Sequence, residues 1–154
     1  MKNGSVAIVL VSVISLFLPC CGPTYRMTPP PAFSRYVDSS DFKMITADGV
    51  RLKAREVENY PRAELSFWKD ALQRHLEKRG YLKKSENCFR TESGLDGCTL
   101  DFLLPYGAED WVMSETIFVV DDRVVLVEVT GPYERFKPYE ESIKKYLLTF
   151  NPGQ

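Results

Sequence analysis

The sequence predicts an α+β domain with a central antiparallel sheet and one helix on each face of that sheet. The first observation is a Val-rich segment, residues 117–129, that is apolar at both odd and even positions. Such strands need apolar cover on both faces. The second is a pair of segments with apolar residues at helical spacing, before Gly80 and before Phe150, which can supply the two covers. Short turns between the strand-like segments favour antiparallel pairing.

The first two elements are predicted to be a hairpin and a helix. Turn residues 47–50 (Ala-Asp-Gly-Val) separate the strand-like residues 42–45 from the alternating residues 50–55. The helix is predicted to begin at Pro61 and to end at Gly80. The hairpin residues expected to face the core are Ile45, Val50, Leu52 and Ala54. The apolar stripe expected on the helix is Leu65, Trp68, Leu72 and Leu76.

Two cysteines, Cys88 and Cys98, are expected to form a disulfide across a second hairpin. A three-residue loop, 92–94 with Gly94 in the left-handed conformation, places the cysteines directly opposite each other. A two-residue turn would instead place Cys88 opposite Thr99. In an exported protein such a pair is usually oxidised, and closing this short loop contributes about 2–3 kcal/mol at best.

The Val-rich segment is predicted to form a central hairpin that turns at Asp121 and Asp122, because aspartate side chains bond to nearby backbone amides. Its second face is expected to lie under a C-terminal helix with Pro138 in its first turn. The alternative is that this face meets another protein. The apolar residues of the C-terminal segment are Phe136, Tyr139, Ile143, Leu147 and Phe150.

The N-terminus is typical of an export signal. Lys2 supplies a positive charge, and residues 6–18 form an apolar stretch of thirteen residues, too short to span a bilayer core of about 30 Å. The stretch ends in Leu-Pro-Cys-Cys-Gly, residues 18–22. This run resembles the lipobox of bacterial lipoprotein precursors, in which a Leu lies three residues before the cysteine that receives the lipid.

The resemblance implies that Cys21 is acylated, with a diacylglycerol thioether and an amide-linked chain such as palmitate, because Leu18 then occupies the family's Leu position. Modification of Cys20 would put Phe17 at that position and Pro19 directly before the cut. The choice between Cys20 and Cys21 stays open, and an ordinary secretory signal with an incidental Cys pair is the alternative. Gly22 after the cysteine implies delivery to an outer membrane rather than an inner one.

Three regions are expected. Residues 1–20 are the signal peptide, residues 21–37 are the acylated Cys and a Pro-rich tether, and residues 38–154 are a single α+β domain. The tether has four prolines, at positions 23, 29, 30 and 31. In polyproline II form, at about 3.1 Å per residue, it could hold the domain up to about 50 Å from a membrane.

The order of elements resembles the PsbP and DcrB-like α/β/α sandwich. The resemblance spans residues 34–150 and includes Thr-Gly-Pro at 130–132, followed by Phe136 and Tyr139 before the final helix. It implies a luminal or periplasmic, lipid-linked accessory protein that assists membrane complexes. No functional residue of that family is carried over to a position in this chain.

No residue pattern identifies a reaction, a metal site or a cofactor. His75 is the only histidine, so a zinc site with two histidines cannot be built. Its place on the first helix favours a structural role, and no Gly-x-Ser-x-Gly motif is present. Without Lys2, nineteen basic and twenty-one acidic residues remain, and a charge of −2 argues against nucleic-acid binding. We expect a protein that is not an enzyme and needs no cofactor.

Three residues are the candidate contacts to a ligand or partner. Glu128 is a charge between two valines of a central strand, where burial without a partner is costly. Trp111 and Tyr133 are aromatic residues at the predicted ends of the central strands, and aromatic side chains are frequent anchors of interfaces. Core packing is the alternative role for both aromatics.

The leading hypothesis is a lipid-anchored envelope lipoprotein whose periplasmic domain binds or assembles with another envelope protein without catalysing a reaction. The second hypothesis is an envelope hydrolase that uses carboxylates near Trp111, with Glu109, Asp110 and another acid gathered in a concave pocket. The third is a small-molecule or lipid-binding module with its cavity between the sheet and the C-terminal helix.

Overall fold

Seven strands form one antiparallel sheet with helical cover on both faces, which confirms the predicted α+β architecture. The computed structural model describes residues 25–37 and 42–153. The strands lie across the sheet in the order β1-β2-β3-β7-β6-β5-β4. In chain order the elements are β1 (Ser34–Arg35), β2 (Phe42–Ile45), β3 (Arg51–Glu58), α1 (Leu65–Lys78), β4 (Leu82–Arg90), β5 (Asp96–Tyr106), β6 (Glu109–Val120), β7 (Arg123–Pro132), α2 (Tyr133–Phe136), a 3₁₀ turn (Lys137–Tyr139) and α3 (Glu140–Leu148).

The central hairpin, β6 and β7, is buried on both faces as its sequence predicts. The face of the sheet covered by α3, here called the α3 face, includes Val125, Val127 and Val129 of β7. The opposite face, here called the α1 face, includes Ile117 and Val124, which pack with Leu65, Trp68 and Leu72 of α1. Two separate apolar layers therefore meet at these two strands.

Helix α1 begins at Leu65, four residues later than Pro61, where the sequence predicts its start. The amide of the buried Asn59 bonds to several groups in and around the intervening loop. Its Nδ2 donates to the Ala63 and Asp121 carbonyls, and its Oδ1 accepts from the Ala63 amide and from Trp68 Nε1 at 2.8 Å. These bonds hold the chain in a loop before the helix. The helix ends at Lys78, just before Gly80 (φ 88°), as predicted.

The first hairpin has the predicted strands but one different inward residue. Met44 pairs with Leu52 and is 1% exposed, whereas Ile45 pairs with Arg51 on the α1 face. The turn closes between Thr46 and Val50 through a backbone hydrogen bond of 2.9 Å. This register puts even-numbered residues of both strands toward the core, so the expected place of Ile45 there was wrong.

The predicted disulfide is confirmed. Cys88 of β4 lies directly opposite Cys98 of β5, and the two are bonded. The loop between the strands closes at Thr91 and Leu95, with Gly94 at φ 84°. It is therefore the three-residue loop, since a two-residue turn would have shifted the register by one position.

Part of the segment assigned to the tether packs on the domain. Tyr25 is 6% exposed and stacks on Phe150, and Arg26 and Asn151 exchange two backbone hydrogen bonds. Farther along, Phe33 is buried edge-on to Tyr139. The proline content suggested an extended tether through residue 37, but Tyr25 and Phe33 supply apolar contacts to Phe150 and Tyr139 at the two ends of α3. Residues 25–35 therefore belong to the folded domain.

The cysteines assigned to the lipid signal, Cys20 and Cys21, lie outside the described residues. Within the described ranges, each helix is either too short or too polar to cross a bilayer.

We predict that Tyr25→Ala destabilises the protein by about 3 kcal/mol, because the substitution empties a buried aromatic site. Equilibrium urea unfolding measures the change. The matched control is Tyr60→Ala, since Tyr60 is 78% exposed and its loss should change stability by less than about 0.5 kcal/mol. Equal effects of the two substitutions would mean that the N-terminal segment does not pack on the domain.

Candidate functional site

The α1 face carries two acidic side chains on the central strands. Glu115 of β6 and Glu128 of β7 are directly opposite each other, and Lys53 of β3 is opposite Glu128 on its other side. Because residues two apart in a strand share a face, Arg55 lies on this face next to Lys53. Glu115 is 2% exposed, and its Oε2 has no hydrogen-bond partner among the described residues.

The Glu115 carboxyl holds a proton at neutral pH. Its pKa is raised to about 8, chiefly by burial and then by the charge of Glu128, against the opposing charges of Arg55 and Lys53. Two carboxylates at this separation cannot both ionise without strong repulsion. The pair therefore carries one negative charge, which faces the cations of β3.

Four cations, here called the basic strip, lie on the part of the α1 face that belongs to β2 and β3. The strand pairing brings these cations together. Lys43 is opposite Lys53, and Arg51 and Arg55 lie on the same face because they are two residues before and after Lys53. Helix α1 lies mainly over β4, β5 and β6 and reaches β3 only near Arg55 and Val57, so the strip side chains are exposed or half-buried. The basic strip consists of Lys43, Arg51, Lys53 and Arg55.

Two depressions adjoin the basic strip and meet at Thr130. The first, of about 260 Å³, includes Tyr36, Glu128 and the strip residues Lys43, Arg51 and Lys53. The second, of about 310 Å³, is lined by apolar and aromatic side chains. Its lining residues besides Thr130 are Tyr81, Leu104, Trp111, Val112 and Met113.

The candidate contact residues therefore divide between two places. Glu128 and Trp111 lie on the α1 face in the two adjoining depressions. Tyr133 instead packs against the core of the α3 face. Its ring lies 4.3 Å from Lys84 Nζ, which also donates to its hydroxyl at 3.3 Å. The structure does not place Tyr133 in one site with the other two.

Glu109 and Asp110, proposed with a further acid for a hydrolase, are on opposite faces of their strand. Glu109 and Asp110 are exposed consecutive residues at the start of β6, and consecutive strand residues point to opposite faces. A glycosidase-type mechanism needs both carboxyls on the same bond. His75 is exposed on α1 and lines a depression with Arg55 and Leu126. Among the described residues, no group of three His, Cys, Asp or Glu side chains could hold a metal ion.

A second recess lies on the α3 face. It is a groove of about 350 Å³ between α3 and strands β4 to β6. Its floor includes Asp101, Ser114 and Thr99, and its walls include Ile143 and Leu147. The cavity between sheet and C-terminal helix that the third hypothesis requires is therefore open.

Glu115 was missed from the sequence, although a signal for it was present. The hairpin turns at Asp121 and Asp122, so the residue opposite Glu128 follows by counting back along β6 from Val120. That count places the two glutamates side by side. Because Ser114 and Thr116 on either side are polar, the sequence around Glu115 is typical of a solvent-facing stretch and does not indicate a buried carboxyl.

We predict that the stability of the protein falls as pH rises from about 4.5 to about 8. The pKa of Glu115 is raised in the folded state, so the folded chain binds more protons than the unfolded chain in this window. The unfolding free energy then decreases with pH, by up to about 1.4 kcal/mol per pH unit. Urea unfolding at several pH values measures this slope.

The substitution Glu115→Gln should remove most of this slope and raise the stability above pH 7. The matched control is Glu109→Gln in the same strand, because Glu109 is exposed and should leave the slope unchanged. A slope that is the same in Glu115→Gln as in the unsubstituted protein would contradict the raised pKa of Glu115 and the single negative charge of the Glu115 and Glu128 pair.

Comparison with known proteins shows the fold of the domain. No known family and no curated protein matches the sequence. Among solved structures, cyanobacterial PsbP (CyanoP) from Synechocystis is similar with a TM-score of 0.62 at 12% identity, covering 84% of this chain and 86% of that one. A Pseudomonas aeruginosa protein of unknown function, whose description suggests a regulator, has a TM-score of 0.60 at 14% identity, covering 80% and 94%. The domain has the PsbP-like α+β sandwich fold.

Proposed function

We propose that this protein is an envelope lipoprotein, held at a membrane by acyl chains on Cys21, that binds a partner protein without catalysing a reaction. The observation that carries the proposal is the basic strip on the uncovered half of the α1 face. A sheet face that is left uncovered by its own helices, and that concentrates charge of one sign, is suited to a partner of opposite charge.

The partner is an acidic segment of another envelope protein. The strip brings four cations together on neighbouring strands, next to the Glu115 and Glu128 pair. The part of the chain after Lys2 nevertheless has a net charge of −2. The positive charge is thus concentrated on one surface rather than spread over the domain.

Aromatic and arginine side chains adjoin one another on this surface, as they do at the centres of protein interfaces. Tyr36 is 44% exposed and shares a depression with Arg51. Trp111 is half-buried in the adjoining depression. An extended acidic segment could place carboxylates on the strip and an apolar side chain beside Trp111.

The position of the N-terminal segment favours a protein partner over anionic lipid. Tyr25 and Phe33 belong to the core of the α3 face, and the basic strip lies on the opposite face of the sheet. A lipid attached shortly before Tyr25 would thus leave the chain on the face away from the strip. The strip remains accessible to another protein of the envelope.

The anchor is tested by growing cells with a palmitate analogue and following its incorporation. We expect the wild-type chain and Cys20→Ser to be labelled and to sediment with membranes, and Cys21→Ser to be unlabelled. Loss of the label in Cys20→Ser alone would mean that Cys20, and not Cys21, carries the lipid. An unlabelled wild-type chain in the soluble periplasm would rule out the anchor.

The binding surface is tested by crosslinking in intact cells, followed by identification of the partner. We expect Arg51→Glu with Arg55→Glu to lower the crosslinked yield at least tenfold, since the pair reverses the charge on both sides of Lys53 in the strip. The matched control is Arg74→Glu with Lys78→Glu on the exposed side of α1, which makes the same change in net charge.

A direct measurement separates the kinds of partner. Binding of the full chain to a polyglutamate peptide should weaken with salt and with the strip substitutions, but not with the control substitutions. Equal binding by both variants would contradict a role for the strip. If the chain bound vesicles of anionic lipid, or nucleic acid, more tightly than the peptide, the proposal of an acidic protein partner would be wrong.

A further inference from the structure

Six polar side chains form a continuous patch on the α3 face, where a sheet that packs under a helix is normally apolar. They come from three neighbouring strands and face each other in the register of those strands. Two of them, Ser114 and Thr116, are 4% and 1% exposed. The patch consists of Ser85, Asn87, Thr99, Asp101, Ser114 and Thr116.

Asp101 is at the centre of this patch and is fixed by hydroxyls on both sides. Ser114 Oγ donates to Asp101 Oδ1 at 2.7 Å, and Ser85 Oγ donates to Asp101 Oδ2. A carboxylate has about four acceptor sites, so each oxygen can accept one bond more. No cationic side chain forms a salt bridge with Asp101 among the described residues. The carboxylate is therefore oriented but lacks a countercharge.

The patch is the floor of the groove under α3, and the walls of the groove are apolar. Phe89, Phe136, Ile143 and Leu147 line it together with the floor residues. Its volume of about 350 Å³ lies within the range of small-molecule sites, roughly 300–1,000 Å³. A carboxylate floor with apolar walls suits a molecule with one polar end and a short apolar body.

The charges around the groove favour a cation. Lys144, on the wall, is held by Glu140 at 3.5 Å and by Glu141 at 3.0 Å. Together with Asp101 and Lys145, the lining has three acidic and two basic groups. The net charge is negative, and the charge on the floor is negative as well.

We propose that this groove binds a small amphipathic amine, with its ammonium group on Asp101 and its apolar chain along Ile143 and Leu147. An ammonium donates three hydrogen bonds, which matches the remaining acceptor sites of Asp101 and the hydroxyl oxygens of Ser85 and Ser114. A fatty acid would place its carboxylate against that of Asp101. This site is on the opposite face from the basic strip and is independent of the proposed partner binding.

The test uses three probes of equal length: hexylammonium, hexanoate and hexanol. Saturation-transfer NMR measures their binding to the full mature chain in lipid nanodiscs, with empty nanodiscs correcting for partition into lipid. We expect saturable binding of hexylammonium, and binding of hexanol and hexanoate that is at least tenfold weaker. Asp101→Asn should weaken hexylammonium binding roughly tenfold or more, because a charged hydrogen bond becomes a neutral one.

Two further variants distinguish a loss of binding at this groove from a loss of the folded structure. Asp70→Asn removes an exposed carboxylate from α1 and should leave hexylammonium binding unchanged. Leu148→Trp should block the groove without touching its polar floor, because Leu148 lines it and is 36% exposed. Equal binding of the three probes, or unchanged binding in both Asp101→Asn and Leu148→Trp, would overturn the proposal.

Discussion

The architecture depends on one constraint, which is that strands β6 and β7 are apolar on both faces. A hairpin of this kind is stable only between two covering layers. Helix α1 supplies one layer, and α3 with the N-terminal segment supplies the other. The order of strands agrees with this constraint. Strands β6 and β7 lie inside the sheet, where β3 flanks β7 and β5 flanks β6.

Polar residues interrupt both layers near the middle of β6. Ser114 and Thr116 point to the α3 face, and Glu115 between them points to the α1 face. On one face hydroxyls bond to Asp101 and Thr99. On the other face, protonation removes the charge of the buried Glu115 carboxyl. A purely structural core would gain stability from apolar residues at these positions. Their presence favours a role in binding for both faces.

Patterns within short segments predicted most of the fold. The Val-rich hairpin predicted the centre of the sheet, and the apolar stripe that starts at Leu65 predicted α1. The turn at Gly94 predicted the pairing of the two cysteines. The features that were missed depend on contacts between distant segments. The loop before α1 is held by Asn59, and Tyr25 packs on Phe150 at the other end of the chain. The polar floor of the groove under α3 was missed because Thr99 and Asp101 alternate with apolar residues, a pattern that is typical of a face exposed to solvent.

The packed N-terminal segment has a consequence for how the domain would search for a partner. Three residues separate Cys21 from Tyr25, and even fully extended these four residue steps span at most about 14 Å. A lipid on Cys21 would therefore keep the domain next to the bilayer instead of about 50 Å away. Such a short connection confines the domain to a thin layer and raises its effective concentration toward membrane-bound partners. A partner that displaced residues 25–33 from α3 would lengthen the reach of the domain, so the packing of Tyr25 sets the volume in which it can act.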